Sequence, residues 1–467
     1  MFDPRSIPAD QSTIDALRSR GLDYRQVDPA DDAALQSWAQ AETRGFHHAR
    51  PEPAELRREL RVAKQRSLRG VYDPTAHDAG VPVATVDGWP SGLSVPGGRS
   101  VDAWAVSAVT VSPTHRRRGI ARALLEAQLR YASEAGAALA MLTLTEATIY
   151  GRYGFGPAAS AATIKVDRRR VSWIGPDAPG RVQFVEPADL IAKAPAIARR
   201  AVSRTPGEID RWPGLLERHL GLVDPDSAAS RALRVARYDD RSGQAQGFVA
   251  FTVGREPNLP GIVEADVFVA ATDEAERALW RFLVEMDFVT EIRSRLRSVD
   301  EPLGWLLEDP RAVSMHDVVD HLWLRVLDPV VALSAREYGA SGTLTLEVGD
   351  ALGHAAGSYV LDASGDGRAE VRRTDDPGVD ERRTDERRAD EGADAAAAGS
   401  RSGRRSRGKA THGLRLDVRE LGSIYLGGVR PSVLARAGRI EELSPGSLAL
   451  ADRLFAAPRT PHLSIWF

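Results

Sequence analysis

The stretch VTVSPTHRRRGIA, residues 109–121, constrains this chain more than any other. Its β-branched run Val109-Thr110-Val111 predicts a strand, and an amphipathic run from Arg122 to Tyr131 predicts a helix beginning at Gly119. A strand that ends in a turn opening a helix aims several backbone N–H groups one way, which is how a compact polyanion such as pyrophosphate is held. Gly119 lets the backbone approach without a Cβ in the way, Ile120 and Ala121 start the helix with little bulk at Ala121, and Arg116, Arg117 and Arg118 add charge. An Arg-Arg-Arg-Gly tetrapeptide alone would read as a solvated basic patch; its place between strand and helix makes it a phosphate-loop candidate.

With 467 residues, 43% of them apolar and 27% charged, the chain suits a soluble globular protein too long for one hydrophobic core. We divide it into units at 1–166, 167–325 and 326–467. In the first, helices at 30–43, 53–63 and from Gly119 to about Ala135 alternate with strands at Leu68–Tyr72, Val81–Val86, Val101–Val111 and Ala138–Thr145. Pro90-Ser91-Gly92 and Pro96-Gly97-Gly98 read as turns, giving an antiparallel meander and an α+β class. Gly97-Gly98 therefore reads as a hairpin turn before it reads as a phosphate loop. Asp167 to Pro187 reads as a linker, followed by strands at Gly247–Gly254 and Ile262–Val269 and a helix from Thr272 to about Met286. The third unit begins near His321–Leu333 and continues with strands Gly342–Val348 and Ser358–Asp362.

Residues 372–412 contain DERRTDERRADE and a single large apolar residue, Val379, so burial cannot offset the entropy of ordering them. We expect a disordered insertion within the third unit. The basic run Arg401–Lys409 is not expected to bind nucleic acid, given its acidic neighbours and lack of aromatics, and the net charge of -3 supplies no global attraction. Zero cysteines excludes disulfides and thiolate chemistry and suits a cytoplasmic protein; neither a secretion signal nor a membrane span is expected. No metal site is expected, because only His47-His48 adjoin among ten histidines. The serine-hydrolase elbow and the P-loop motif are both missing.

The strand, the glycine loop and the later Tyr150-Gly151-Arg152-Tyr153-Gly154-Phe155 resemble the GNAT N-acetyltransferases. More narrowly, VSPTHRRRG with IYGRYGFGPA is similar to the Eis (enhanced intracellular survival) family, as are LWRFL from Leu279, DPRAVSM from Asp309, DHLWLRVLD from Asp320 and LGSIYLGG from Leu421. The resemblance implies two tandem GNAT-like domains followed by a sterol-carrier-protein-like α/β domain, with coenzyme bound by the first only. The acidic turn Ala271–Glu276, where a second loop would fall, agrees, because it would repel pyrophosphate.

The resemblance further implies acetyl-CoA as co-substrate, acceptors that are primary amines of aminoglycoside, polyamine or lysine type, and a homohexamer built as a dimer of trimers. It places the main chain of Val109 and Val111 along the pantetheine arm. Tyr150 matches the general acid, with Tyr153 as competitor, and the C-terminal carboxylate of Phe467 the general base. The apolar end Leu463-Ser464-Ile465-Trp466-Phe467 is consistent with a docked terminus, although a final β-strand would look the same. Ser107, Trp38 and Phe46 are candidate pocket residues. Trp466 stands where relatives that accept aminoglycosides have an acid, and Glu42 is the nearest substitute for an acidic residue expected around Arg44-Gly45-Phe46. A coenzyme- or lipid-binding regulatory protein on the same scaffold is the alternative function.

Overall fold

The computed structural model describes residues 3–467 except 52–55, 57–59, 61–62, 145, 255–258 and 375–411. Twelve strands form one continuous sheet. In chain order they are β1 Asp23–Gln26, β2 Ser67–Tyr72, β3 Ala84–Val95, β4 Arg99–Val111, β5 Leu139–Thr143 and β6 Gly156–Asp167, then β7 Arg181–Phe184, β8 Arg234–Asp239, β9 Ala245–Gly254, β10 Gly261–Ala270, β11 Val289–Arg297 and β12 Val313–Val326. Their spatial order is β1-β2-β3-β4-β5-β12-β6-β11-β10-β9-β8-β7. The two halves thus exchange their last strands: β12 pairs with β5 of the first half, and β6 pairs with β11 of the second. A second sheet, ordered β15-β14-β13-β16-β17, is built from β13 Gly342–Gly349, β14 Gly357–Ala363, β15 Ala369–Arg373, β16 His412–Asp417 and β17 Ile440–Glu442.

Packing follows side-chain periodicity. The helix Ile120–Glu134 buries Leu124, Leu125, Leu129 and Tyr131 against Val106, Ala140 and Leu142 on one face of the first half. The opposite face presents Trp89, Ala105 and Met141 to a core shared with Leu346, Leu361, Leu421 and Phe455 of the C-terminal unit. In the second half, the helix Asp273–Val284 buries Leu279, Trp280 and Leu283. The α+β class and the division into two GNAT-like halves and a C-terminal α/β unit hold.

Several local expectations need correction. Pro90-Ser91-Gly92 is not a turn: it lies inside β3, paired with Trp104, Ala103 and Asp102. β2 ends its pairing at Gly88 and the segment 207–210 bonds to β3 only from Gly92 onward, so among the described residues Pro90 falls on a stretch with a free edge, where proline costs little. The segment 167–187 is more than a linker, since it contributes β7 and packs Val171, Trp173 and Val182 onto the second core. Within the insertion assigned to 372–412, Arg372, Arg373 and His412 are strand residues, and 375–411 lie outside the described residues. His321 belongs to β12 rather than to the third unit. Of the helix at 53–63, Leu56, Leu60 and Ala63 are helical and the other positions are largely outside the described residues.

The C-terminal unit is locked to the sheet by one buried ion pair. Arg325 of β12, fully buried, places Nη2 2.6 Å from Oδ2 of Asp350 and donates from Nε to the Tyr153 carbonyl at 2.9 Å. Gly154 is required beside it, with φ at +81° and no room for a Cβ next to Arg325 Nε. Burial pushes the Asp350 carboxyl up, but the attraction of Arg325 outweighs it and holds the group below its usual range. Replacing Asp350 by Ala strands a buried guanidinium and is expected to destabilise the fold by about 3–5 kcal/mol, read as a lowered denaturant midpoint by circular dichroism. Because the folded-state pKa is depressed, the wild-type contribution is complete above about pH 4 and fades as pH falls through the folded value.

Candidate active site

The glycine loop folds as its residue types require. After β4, a short turn Pro113–His115 leads to Arg117 at φ +62° and Gly119 at φ +73°, both left-handed, and the helix starts at Ile120. Two left-handed residues so close together turn successive N–H groups to one side. The helix has no side-chain N-cap, and its first intrahelical bond here runs from the Ala123 N–H to the Gly119 carbonyl, so the amides of Ile120 and Ala121 face outward. A Cβ on Gly119 would lie 2.5 Å from Nη1 of Arg20, which itself donates to the Arg118 carbonyl at 3.0 Å. Arg118 returns a bond to the Arg20 carbonyl at 3.1 Å and sits 3.8 Å from Asp73. Arg116 and Arg117 are exposed and carry no ion pair among the described residues. The corresponding place in the second half is different: Thr272 caps the Ala275 N–H, and Asp273, Glu274 and Glu276 fill the first turn. That helix end is capped by its own residues, and its acids are engaged by neighbours, Asp273 by Arg204 and Arg459 and Glu276 by Arg297, so it offers no open donors to a phosphate.

A gap in the sheet lies beside the loop. β4 pairs in parallel with β5 only at Ala103–Ala105, opposite Leu139–Met141. Beyond that β4 is bent by a bulge: Thr85 faces Thr110 and Asp87 faces Ser107, so Ala108 and Val109 together oppose Val86, with Ala108 at φ +53°. β4 and β5 part, and among the described residues the main chain of β4 from Val106 to Val111 has no strand partner on the β5 side. Val109 and Val111 are half-buried, their side chains packed on the core under the helix Ile120–Glu134.

The chain terminus closes the other side of this gap. Thr143, the last residue of β5, accepts the Phe467 N–H at 3.3 Å and donates its hydroxyl to a terminal oxygen of Phe467 at 2.5 Å. From the pairing of Ala105 with Met141, Thr143 stands level with Ser107 across the gap. The tail that delivers Phe467 is not a strand. It is anchored residue by residue: His462 N–H to the Pro206 carbonyl at 2.8 Å, Ser464 N–H to Glu208 at 3.1 Å, Arg211 to the Ser464 hydroxyl at 2.8 Å, and the His321 ring to the Ile465 carbonyl at 2.8 Å. Burial holds His321 below its ordinary pKa and pushes His462 down to about 4, so both rings are neutral at neutral pH and bury without a charge penalty.

Tyr150 ends the short helix Ala147–Tyr150, half-buried, with its ring edge-on to Phe155 at 6.4 Å. Burial, with smaller contributions from Glu146 and Tyr153, pushes its phenol up to about 12. Tyr153 is buried more deeply and is also raised, again by burial first. The remaining candidates scatter. Ser107 faces Asp87 on the same side of the sheet as Trp89. Trp38 is 4% exposed and donates to the Arg69 carbonyl at 2.8 Å, packed among Leu35, Leu56, Leu60 and Leu68 as a core residue. Glu42 and Phe46 flank the end of the helix Asp32–Gly45, where Gly45 abuts Thr110 of β4, and Phe46 stacks on His48 at 6.0 Å. Trp466 is 48% exposed and packs edge-on against His321 at 4.5 Å.

Other residues at the site carried no local signal. Trp89 meets the Phe467 ring edge-on at 5.6 Å and Trp212 of the second half at 6.0 Å. Arg66 lies over Trp89, 3.6 Å from the ring centroid, and its Nη1 is 2.9 Å from Oδ2 of Asp87. Only Asp87, an acid in a strand-like run, departs from its surroundings enough to be suspected from the sequence. A spectrophotometric titration of the wild type against Tyr150→Phe is expected to show no ionisation assignable to Tyr150 below about pH 11, since a phenol this buried keeps its proton past the usual range.

Comparison with known proteins places this geometry in context. Residues 26–158 match the model of a GNAT acetyltransferase domain, 201–326 a second GNAT acetyltransferase domain, and 330–464 a sterol carrier protein domain. An uncharacterized N-acetyltransferase of Streptomyces avermitilis is 33% identical over 445 residues, covering 93% of this chain and 97% of that protein. The N-acetyltransferase Eis of Mycobacterium tuberculosis is 31% identical over 375 residues, 78% of this chain and 81% of its own. The crystal structure of Eis1 from Mycobacterium abscessus superposes with a TM-score of 0.74 at 29% identity, covering 96% of this chain and 100% of that one.

Proposed function

Since the chain belongs to the Eis-like family of GNAT N-acetyltransferases and is thereby an N-acetyltransferase using acetyl-CoA, we propose that it acetylates a primary amine with the Phe467 carboxylate as base and the Tyr150 hydroxyl as acid. In this reading the outward amides of Gly119, Ile120 and Ala121 hold the coenzyme pyrophosphate, with charge from Arg116, Arg117 and Arg118. The unpaired main chain of Val109 and Val111 takes the pantetheine arm as an added strand would. The thioester then reaches the level of Ser107 and Thr143.

The chemistry asks for a neutral amine and a protonated leaving group. The terminal carboxylate takes a proton from the incoming ammonium, directly or through water, and passes it to solvent. The amine nitrogen bonds to the acetyl carbon as the carbon–sulfur bond breaks and gives up its second proton to solvent, while the sulfur receives the Tyr150 proton, which solvent replaces. Burial keeps the Tyr150 phenol protonated throughout the neutral range, so it has a proton to offer the sulfur, although a thiolate, whose thiol has a reference pKa of about 8.5, does not strictly demand it. The observation that carries this reading is the docking of the Phe467 carboxylate on Thr143 at the mouth of the β4–β5 gap. A small primary amine or a lysine side chain fits a site walled by Trp89, Trp212 and Phe467.

The test is acetyl-CoA-dependent thiol release with a panel of small amines, lysine-containing peptides and aminoglycosides. Adding one glycine after Phe467 displaces the carboxylate and is expected to lower kcat about a hundredfold or more, whereas Phe467→Leu, which keeps it, is expected to lose far less. An extended chain acting at full rate overturns the carboxylate's role. Tyr150→Phe is expected to lower kcat about a hundredfold with little change in KM for acetyl-CoA. A wild type that binds acetyl-CoA yet releases thiol with no amine would favour the regulatory reading.

A further inference from the structure

The acceptor side of the site already contains a cation of its own. The Arg66 guanidinium is flanked by two indoles, 3.6 Å from the Trp89 centroid and 5.3 Å from that of Trp212, and its Nη1 lies 2.9 Å from Oδ2 of Asp87. Two aromatic faces and a carboxylate are the components of an ammonium-binding cage. The group is well enclosed: the side chains of Arg66 and Asp87 are 14% and 5% exposed. The other oxygen of Asp87, Oδ1, is buried with no hydrogen-bond partner among the described residues, so the carboxylate retains accepting capacity. The cage is contiguous with the reaction site, because Trp89 also touches Phe467, and Asp87 pairs in register with Ser107.

We propose that Arg66 is a specificity-determining residue that fills a second cation subsite, so that the protein prefers amines with one positive charge over diamines and polyamines. The proposal rests on the functional reading above. Of the two carboxylates on this face, Asp87 is compensated by Arg66, and the C-terminal one is left for the reacting amine. A second ammonium on the acceptor would need the indole cage, which Arg66 occupies, and the negative charge of Asp87, which Arg66 already balances, and would meet the guanidinium at close range, a repulsion that weak screening in a partly buried site does little to relieve.

The discriminating pair is pentylamine and 1,5-diaminopentane, which differ by one ammonium. In the wild type, kcat/KM is expected to favour pentylamine. In Arg66→Ala the ratio of diaminopentane to pentylamine is expected to rise about tenfold or more, the scale of one close charge–charge contact. Arg66→Lys, which keeps the charge, is expected to hold the wild-type ratio, and adding Asp87→Asn to Arg66→Ala to abolish the gain. A ratio unchanged in Arg66→Ala, or an equal gain in Arg66→Lys, overturns the proposal. Arg66→Gln serves in place of the alanine variant if circular dichroism shows that variant unfolded. Calorimetric titration of diaminopentane reads the subsite without turnover: tighter binding to Arg66→Ala than to wild type supports it and equal binding overturns it. If no form acetylates either amine, small alkylamines are not acceptors and that part of the functional reading has failed, while the titration still decides the subsite.

Discussion

Everything at the site depends on the seating of β12. β5 is only five residues long and pairs with β4 over three of them, so on that side it has little to hold it. Its other edge is covered along its full length by β12, from Leu322 against Thr143 to Val326 against Leu139. That cover lets β4 and β5 part without β5 fraying, because the pairing with β12 holds β5 along its whole length from the other edge. β12 comes from the second half and carries both Arg325, which ties in the C-terminal unit, and His321, which holds the tail. One strand therefore couples all three units to the position of Thr143.

The tail shows why three units are needed where one holds the coenzyme loop. Twelve residues without regular structure would be a mobile terminus on most proteins. Here they run along the second half, and of the polar groups that bind them Glu208 and His321 are buried and Arg211 half-buried, where water competes little. The second half has an acidic, self-capped helix start in place of a phosphate loop, and its contribution to the site is to hold the tail and to supply Trp212. The C-terminal unit supplies the carboxylate, delivered from the helix Ser447–Phe455 onward.

How much could be read in advance follows from how local each feature is. The strand-to-helix loop was legible because its requirements are met within a few residues: β-branched side chains for the strand, a left-handed glycine at the helix start, and apolar spacing along Leu124, Leu125 and Leu129. The apolar character of the last five residues pointed to a docked terminus, though not to its lack of strand pairing. Pro90-Ser91-Gly92 misled because turn propensity is a local average, and pairing to β4 along the whole of β3 overrode it. Trp38 could be read either as a pocket wall or as core packing, because an aromatic at helical spacing does not carry that distinction, and it packs in a buried cluster with Leu35, Leu60 and Leu68. Arg66, Asp87 and Trp212 come from three distant segments and have no common pattern in the chain.

The amino-acid sequence by itself determined the α+β class, the glycine turn between strand and helix and the helix behind it, because dihedral preference and side-chain periodicity act between near neighbours. Only the tertiary structure decided where the carboxylate of residue 467 would lie relative to residue 143, which strand would cover β5, and which cation would occupy the indole cage. The first of those placements depends on a contact across 324 residues and the others on contacts between segments likewise far apart in the chain, which exist only once the chain has closed and its ordering entropy has been overcome.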